Sequence, residues 1–384
     1  MSVEAFQGAR LKKARIYNGL TVAELANMIP CSRQTISMYE SGLNPPKDME
    51  IVNQISSALG FPPKFFLEED IPIVTGSTYF RAQLTTSKKY RDEQIQKMSL
   101  IAALYSFLQE YIEFPQYTAT ECSGLSPEEA AAKLREEWEL GAEPIKNLIY
   151  ETEQHGILVT SFPTRTDKID AFSDMVNIDG QAVYLIAYSS NKTSVARIHF
   201  DVAHELGHIC LHEWSEDVEA LEPDEFRERE NEANAFAASF LLPEQTFRKD
   251  IEKHATELPY YTKLKAKWKV SIQAMIRRSY SLGIISMHEY QNMIRTLQRR
   301  GQRKSEPLDD KLQTASPSML KAAVTMLLEE NVFTPREFMD ELESSLNLSL
   351  NPEMVEELLD LPEGTLSRPK VIQFPKLQIK SEQR

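Results

Sequence analysis

The residues best suited to chemistry are concentrated in one short segment, His204-Glu205-Leu206-Gly207-His208, an instance of the H-E-x-x-H pattern. On a helix, the imidazoles of His204 and His208 project from one face and can bind one metal ion. The carboxylate of Glu205, beside the first histidine, can then take a proton from a water molecule. The spacing therefore indicates metal-assisted hydrolysis.

A catalytic zinc site needs a third protein ligand, and candidates follow downstream. His212 comes four residues after His208, but we interpret it as a residue at the helix end that supports a ligand. The segment 228–243 is predicted to be a helix whose small residues, Ala233 and Ala237, allow close approach to the metal-binding helix. One acid of this helix is expected to reach the ion; the candidates are Glu228, Glu230 and Glu232.

The N-terminal segment carries a different pattern, that of several short helices. Helical periodicity predicts helices over 9–17, 22–28 and 33–39. A short helix, a tight turn and a helix that begins with Arg33-Gln34 form the helix-turn-helix arrangement. Between Ala9 and Lys64, seven Lys/Arg residues face four acids, in a chain whose net charge is −14. This local positive balance favours contact with nucleic acid.

A chain of 384 residues is too long for one ordinary core. We expect a helix-turn-helix domain (1–70), a helical connector (71–125), a metallopeptidase domain (126–250), a basic helical subdomain (251–305) and an acidic helical region with a tail (306–384). The basic subdomain has eleven Lys/Arg and one acid between Lys263 and Lys304. This charge run indicates either a solvated face or contact with phosphates or an acidic partner.

The elements around the metal-binding pattern predict the fold class. Two helices are expected between Ser126 and His155, then strands over 157–162 and 182–187, then the metal-binding helix over 192–212. We therefore predict a mostly α chain with a small β-sheet (α+β). It combines an all-α N-terminal domain, an α+β zincin-like metallopeptidase core and a helical C-terminal region.

The composition excludes several classes of protein. With 42% hydrophobic and 26% charged residues, the chain is typical of globular proteins. No apolar run approaches the roughly 20 residues of a membrane span, and the first residues lack the pattern of a signal peptide. The cysteines, Cys31, Cys122 and Cys210, are far apart and indicate no disulfide framework. We expect a cytoplasmic protein with no membrane partner.

The N-terminal segment resembles the Xre/Cro/cI family of helix-turn-helix domains, on Leu25-Ala26, Ser32 to Ser37, Glu40, Gly42 and Pro45. The resemblance implies a structural contact for Glu40, operator DNA as partner and a homodimer. Base edges would be read by Arg33, Gln34, Thr35 and Ser37. Arginine pairs bidentately with guanine, and glutamine pairs with adenine. A helical protein-interaction domain without DNA binding is the alternative.

Residues 126–250 resemble the ImmA/IrrE family of zinc metallopeptidases. The resemblance lies in H-E-L-G-H-I-C-L-H, which begins at His204, and in E-A-N-A-F-A-A-S-F-L-L-P, which begins at Glu232. It implies a Zn²⁺ ion bound by His204, His208 and Glu232, since Glu232 is the acid directly before Ala-Asn. Glu205 would be the general base and acid.

Two functional hypotheses follow from these resemblances. In the first, the chain is a DNA-binding transcriptional regulator whose zinc endopeptidase domain cleaves a repressor or related regulatory protein. In the second, the chain is a non-proteolytic repressor or antitoxin whose zinc-site domain senses an effector or partner. The complete set of catalytic positions favours the first hypothesis.

Overall fold

The protein is mostly α-helical with one small β-sheet, which confirms the predicted fold class. The computed structural model describes residues 5–69, 75–80, 88–165, 170–178, 180–191, 194–214 and 221–367, with the backbone alone described over 75–80. Most of the predicted C-terminal tail, residues 368–384, lies outside the described residues. Within these ranges, no helix is long and apolar enough to cross a membrane.

The N-terminal segment forms four α-helices and a 3₁₀ turn: α1 (Gly8–Tyr17), α2 (Val22–Met28), α3 (Arg33–Glu40), α4 (Met49–Leu59) and Pro63–Leu67. The first three helices begin and end within one residue of their predicted bounds. The hydroxyl of Ser32 accepts the backbone N–H of Thr35 at 3.0 Å, which fixes the start of α3. Glu40 pairs with the buried Arg15 guanidinium, 2.5 Å from Nε, and so has the structural role expected of it.

The connector helix and the C-terminal helices share a core with this N-terminal segment. They are α5 (Lys88–Gln109), α14 (Met319–Glu329), α15 (Pro335–Leu346) and α16 (Pro352–Leu358). The rings of Phe107 and Phe338 lie 5.3 Å apart. The backbone N–H and hydroxyl of Ser349 donate to the buried Glu68 carboxylate, at 2.9 and 2.5 Å. The helix-turn-helix segment is therefore packed against the end of the described chain.

The next elements are two helices and a four-stranded sheet, whose first strand precedes α5 within the connector. They are α6 (Pro127–Glu137), α7 (Leu148–Gln154), β1 (Thr75–Phe80), β2 (Leu158–Phe162), β3 (Ala171–Ile178) and β4 (Gln181–Ser189). The strand order is β1-β3-β4-β2. The β2–β4 pair is parallel and the other pairs are antiparallel, with Tyr79 of β1 opposite Ser173 of β3. Phe172 and Leu185 face the first core, whereas Ile186 and Tyr188 face a second one.

The second core surrounds two long helices, α8 (Val195–Leu211) and α9 (Pro223–Leu241). They approach most closely at Gly207. A Cβ atom built there would lie 3.0 Å from the Cα atom and 3.2 Å from the carbonyl oxygen of Ala233, and 3.2 Å from Cβ of Phe236. Both Ala233 and Ala237 are completely buried. The small residues thus allow the close approach that the sequence predicted.

Four further α-helices pack into this second core. The first, α10 (Glu244–Ile251), ends the predicted metallopeptidase segment, and α11 (Leu258–Trp268), α12 (Ile272–Ser281) and α13 (Met287–Arg299) form the basic subdomain. Two of its cations are buried in ion pairs. Lys265 lies 2.9 Å from Glu306 and 2.5 Å from Asp309, and Arg278 pairs with Glu128 of α6, with 2.7 Å from Nη1 to Oε2. The charge run is therefore in part structural.

Substitution of Gly207 tests the contact between α8 and α9. We expect Gly207→Val to lower the free energy of unfolding by about 1–3 kcal/mol, because its methyl groups must push apart a well-packed pair of helices. Ala235→Val, at an exposed position of α9, should cost about 0.6 kcal/mol at most, from helix propensity alone. Thermal and denaturant unfolding of the full chain measure both. Equal stability of the two variants would contradict the close packing.

Candidate metal centre

The two histidines of the H-E-x-x-H pattern face each other on α8. They are separated by four residues, slightly more than one helical turn. The Nε2 atoms of His204 and His208 are 3.1 Å apart, and both side chains are almost completely buried. Two nitrogens at tetrahedral positions around a zinc ion are about 3.3 Å apart, given Zn–N distances of about 2.0–2.1 Å. The pair is therefore arranged for a single ion.

The acid that faces these histidines is Glu230, on α9. Its Oε1 lies 3.3 Å from Nε2 of His208, and its Oε2 lies 3.6 Å from Nε2 of His204. The ligand atoms of the three residues all lie within 4.8 Å of one another. Among the residues that the structure describes, this is the group of histidines and acids with the spacing of a metal site.

This placement differs from the expectation for Glu232, which does not lie with the two histidines. Helical phase gives the reason. Glu230 precedes Ala233 by three residues and Ala237 by seven, so it lies on the face of α9 that packs against α8. Glu232 is rotated by about 100° from Ala233, and its side chain is 43% exposed.

The electrostatics of the cluster suit a cation. Burial opposes the charged form of Glu230, but hydrogen bonds from His204 and His208 outweigh it and lower the pKa of this carboxyl to about 2. The carboxylate is thus ionised in a site that is largely closed to solvent, since its side chain is 17% exposed. A metal ion in the place of the imidazole protons would neutralise the negative charge of the Glu230 carboxylate.

The donor set fits zinc. Two imidazole nitrogens and one carboxylate are a combination found at catalytic zinc sites, in which the fourth position is left for water. Here the three donors come from two helices that are fixed by packing at Gly207. The residues present could therefore hold the ion that the sequence pattern indicates.

Glu205 lies beside this cluster and is held from the sheet. It is completely buried. Its Oε2 accepts a hydrogen bond from the hydroxyl of Ser173, on β3, at 2.5 Å. A carboxylate held in this way is oriented before any substrate arrives. Phe172-Ser173 is part of the resemblance to the ImmA/IrrE family, but this contact of Ser173 was not predicted, because a buried serine within a strand has no pattern that indicates its partner.

His212 and Glu232 lie on the outer side of His208. Nδ1 of His212 is 2.9 Å from Nδ1 of His208, and Nε2 of His212 is 3.2 Å from Oε2 of Glu232. His212 therefore contacts the ring of His208 on the side away from His204 and Glu230. Burial and the neighbouring His208 lower the pKa of His212 to about 4, so its ring is neutral at pH 7.

The residues predicted to read DNA are at the start of α3. Arg33, Gln34 and Ser37 are exposed, whereas Thr35 is partly buried. The hydroxyl of Thr35 lies 2.8 Å from that of Ser32 and so belongs to the helix cap. Three of the four side chains are thus available to a partner without rearrangement of the helix.

Comparison with known families agrees with this organisation. Residues 8–68 match the model of a helix-turn-helix domain, and residues 152–280 match that of the IrrE N-terminal-like domain. No curated protein matches the chain. The second match contains His204, Glu205, His208 and Glu230, and it extends to the end of α12. The chain therefore joins a helix-turn-helix domain to a domain of the ImmA/IrrE family.

Proposed function

We propose that this chain is an Xre-type DNA-binding regulator whose ImmA/IrrE domain is a zinc-dependent endopeptidase. The observation that carries the proposal is the convergence of His204, His208 and Glu230 beside a buried Glu205. We propose a repressor or related regulatory protein as the substrate, as the family resemblance implies. We also propose a cytoplasmic location, which the cysteine usage favours. The helix-turn-helix domain supports operator DNA as the second partner.

In this proposal, His204, His208 and Glu230 hold the ion, and Glu232 does not. When bound, zinc supplies Lewis acidity, which acidifies water and polarises a peptide carbonyl. Glu205 accepts the proton of the attacking water and delivers it to the leaving amine. Ser173 keeps the Glu205 carboxylate in one orientation through its 2.5 Å hydrogen bond. The buried position of Glu205 excludes bulk water from this proton transfer.

Glu205→Gln tests the peptidase directly. The variant keeps the shape of the side chain and all three ligands, so zinc content should equal that of the wild type. Cleavage should fall by about 10²–10⁴-fold, because the general base is lost. The measurement compares new protein N-termini in cells that carry the wild type or the variant, and then repeats the cleavage with purified, zinc-loaded protein.

The control is Glu228→Gln, which removes the same charge from an exposed position of α9 and should leave cleavage unchanged. If zinc-loaded wild type cuts no candidate repressor, nor its own chain, under conditions where it binds operator DNA, the peptidase proposal is wrong. The non-proteolytic regulator would then be the better description.

Glu230→Gln tests the third ligand. Loss of a residue that hydrogen-bonds to a metal ligand weakens binding by about 10–100-fold. Loss of a charged ligand itself should weaken zinc binding by more than this. Competition with a chelator of known affinity measures the change, with Glu228→Gln as the charge-matched control. If Glu230→Gln retains wild-type affinity, the ion does not bind where these three side chains converge.

Arg33→Ala tests operator recognition. Removal of one bidentate base contact should cost about 1–3 kcal/mol of discrimination against the wrong base. Binding of the full chain to the operator and to a scrambled duplex gives the ratio of affinities. The control is Arg336→Ala, which removes another exposed positive charge from α15, far from α3 in the sequence. If the two variants have the same ratio, Arg33 does not read bases.

A further inference from the structure

A chain of hydrogen-bonding groups extends from the proposed metal position towards solvent. It begins at His208, whose Nε2 faces His204 and Glu230. The other ring nitrogen, Nδ1, lies 2.9 Å from Nδ1 of His212. The second nitrogen of His212 lies 3.2 Å from the carboxylate of Glu232. Each ring therefore uses both of its nitrogens, and the series ends on an acid.

The protons of this series have one consistent order once His208 is a ligand. A ligating imidazole gives its lone pair on Nε2 to the metal, so its proton is on Nδ1. That proton is donated to Nδ1 of His212, which must then be unprotonated. A proton of His212 is consequently on Nε2, where it is donated to Glu232. Each imidazole thereby has one fixed tautomer.

We propose that His212 and Glu232 form a positioning relay that fixes the tautomer and ring orientation of the zinc ligand His208. This inference rests on the proposed zinc site, and it gives a role to the two residues that the site leaves out. A ligating histidine usually donates its second N–H to an acceptor, which raises its basicity. Here the acceptor is another histidine, oriented in turn by a carboxylate.

The position of His212 is suited to this role. Its backbone N–H donates to the carbonyl of His208 at 3.2 Å, at the point where α8 ends. Its side chain is 4% exposed and is held between His208 and Glu232. The side chain of Glu232 is 43% exposed. The order from zinc ligand to solvent is therefore imidazole, imidazole, carboxyl group.

Direct ligation by the outer pair is the competing interpretation, and the geometry disfavours it. His212 approaches His208 from the Nδ1 side, whereas His204 and Glu230 lie on the Nε2 side of the same ring. The two nitrogens of an imidazole point in different directions. An ion between His204, His208 and Glu230 is therefore not shared with His212 or Glu232.

The test measures zinc affinity of the full chain by chelator competition, and the Co²⁺ absorption spectrum as a report on the ligand set. His212→Ala should weaken zinc binding by about 10–100-fold. His212→Asn should recover part of this loss, because its amide oxygen can accept the proton of His208. Glu232→Gln should weaken binding less than His212→Ala. The Co²⁺ spectrum should stay tetrahedral in all three, since no ligand is removed.

A double variant tests whether Glu232 acts through His212. If it does, His212→Ala combined with Glu232→Gln binds zinc no more weakly than His212→Ala alone. Glu228→Gln, which removes a neighbouring acid from the same groove, should bind zinc like the wild type. Unfolding of the metal-free variants serves as the check that they remain folded, and His212→Asn replaces His212→Ala if the latter does not.

Several outcomes would overturn the relay. Zinc affinities of the His212 and Glu232 variants within twofold of the Glu228→Gln control would show that the outer pair has no influence on His208. A changed Co²⁺ spectrum in Glu232→Gln, with an unchanged one in Glu230→Gln, would make Glu232 the ligand. Wild type that binds zinc but cuts nothing refutes the peptidase and leaves the relay standing. Wild type that binds no zinc refutes both.

Discussion

The close approach of α8 and α9 at Gly207 determines where the donor atoms of the candidate metal site lie. Without a side chain at this position, the backbone of Ala233 lies at the surface of α8. That contact sets the distance from which the Glu230 side chain, one turn earlier, reaches the histidines. The side of α8 that faces away from α9 is also buried, against the sheet. The three donors are therefore positioned by backbone packing, and not by their own flexibility.

Much of the organisation of the chain could be predicted from the sequence. The first three helices, the strands β2 and β4 and the helix α8 follow clear apolar patterns, and they lie where expected. Side-chain caps at Thr21 and Ser32 further mark the starts of α2 and α3. The pair of histidines followed from spacing alone. The strand β3 was missed, because the buried polar residues Ser173 and Asp174 interrupt its apolar pattern.

The choice between Glu230 and Glu232 shows that a sequence motif can predict a position less well than helix geometry does. The adjacent Ala-Asn favours Glu232, whereas the small residues on the packing face favour Glu230, the acid that the structure places beside the histidines. Ala233 and Ala237 had been identified as the contact with α8, and Glu230 is the acid in phase with both. The partner of Glu205 could not be predicted, since the hydrogen bond from Ser173 depends on how a strand and a helix distant in sequence are packed.

The pairing of β1 with β3 links the connector to the strand that carries Ser173. β3 supplies the serine that holds Glu205, and both of its edges are occupied, one by β4 and the other by β1. The strand β1 belongs to the connector that leaves the helix-turn-helix domain, and its Tyr79 is opposite Ser173. A foreign polypeptide can add to β3 only by displacing β1, because a strand edge has a single row of backbone donors and acceptors. The strand β1 of the connector therefore competes with any such polypeptide for pairing with β3.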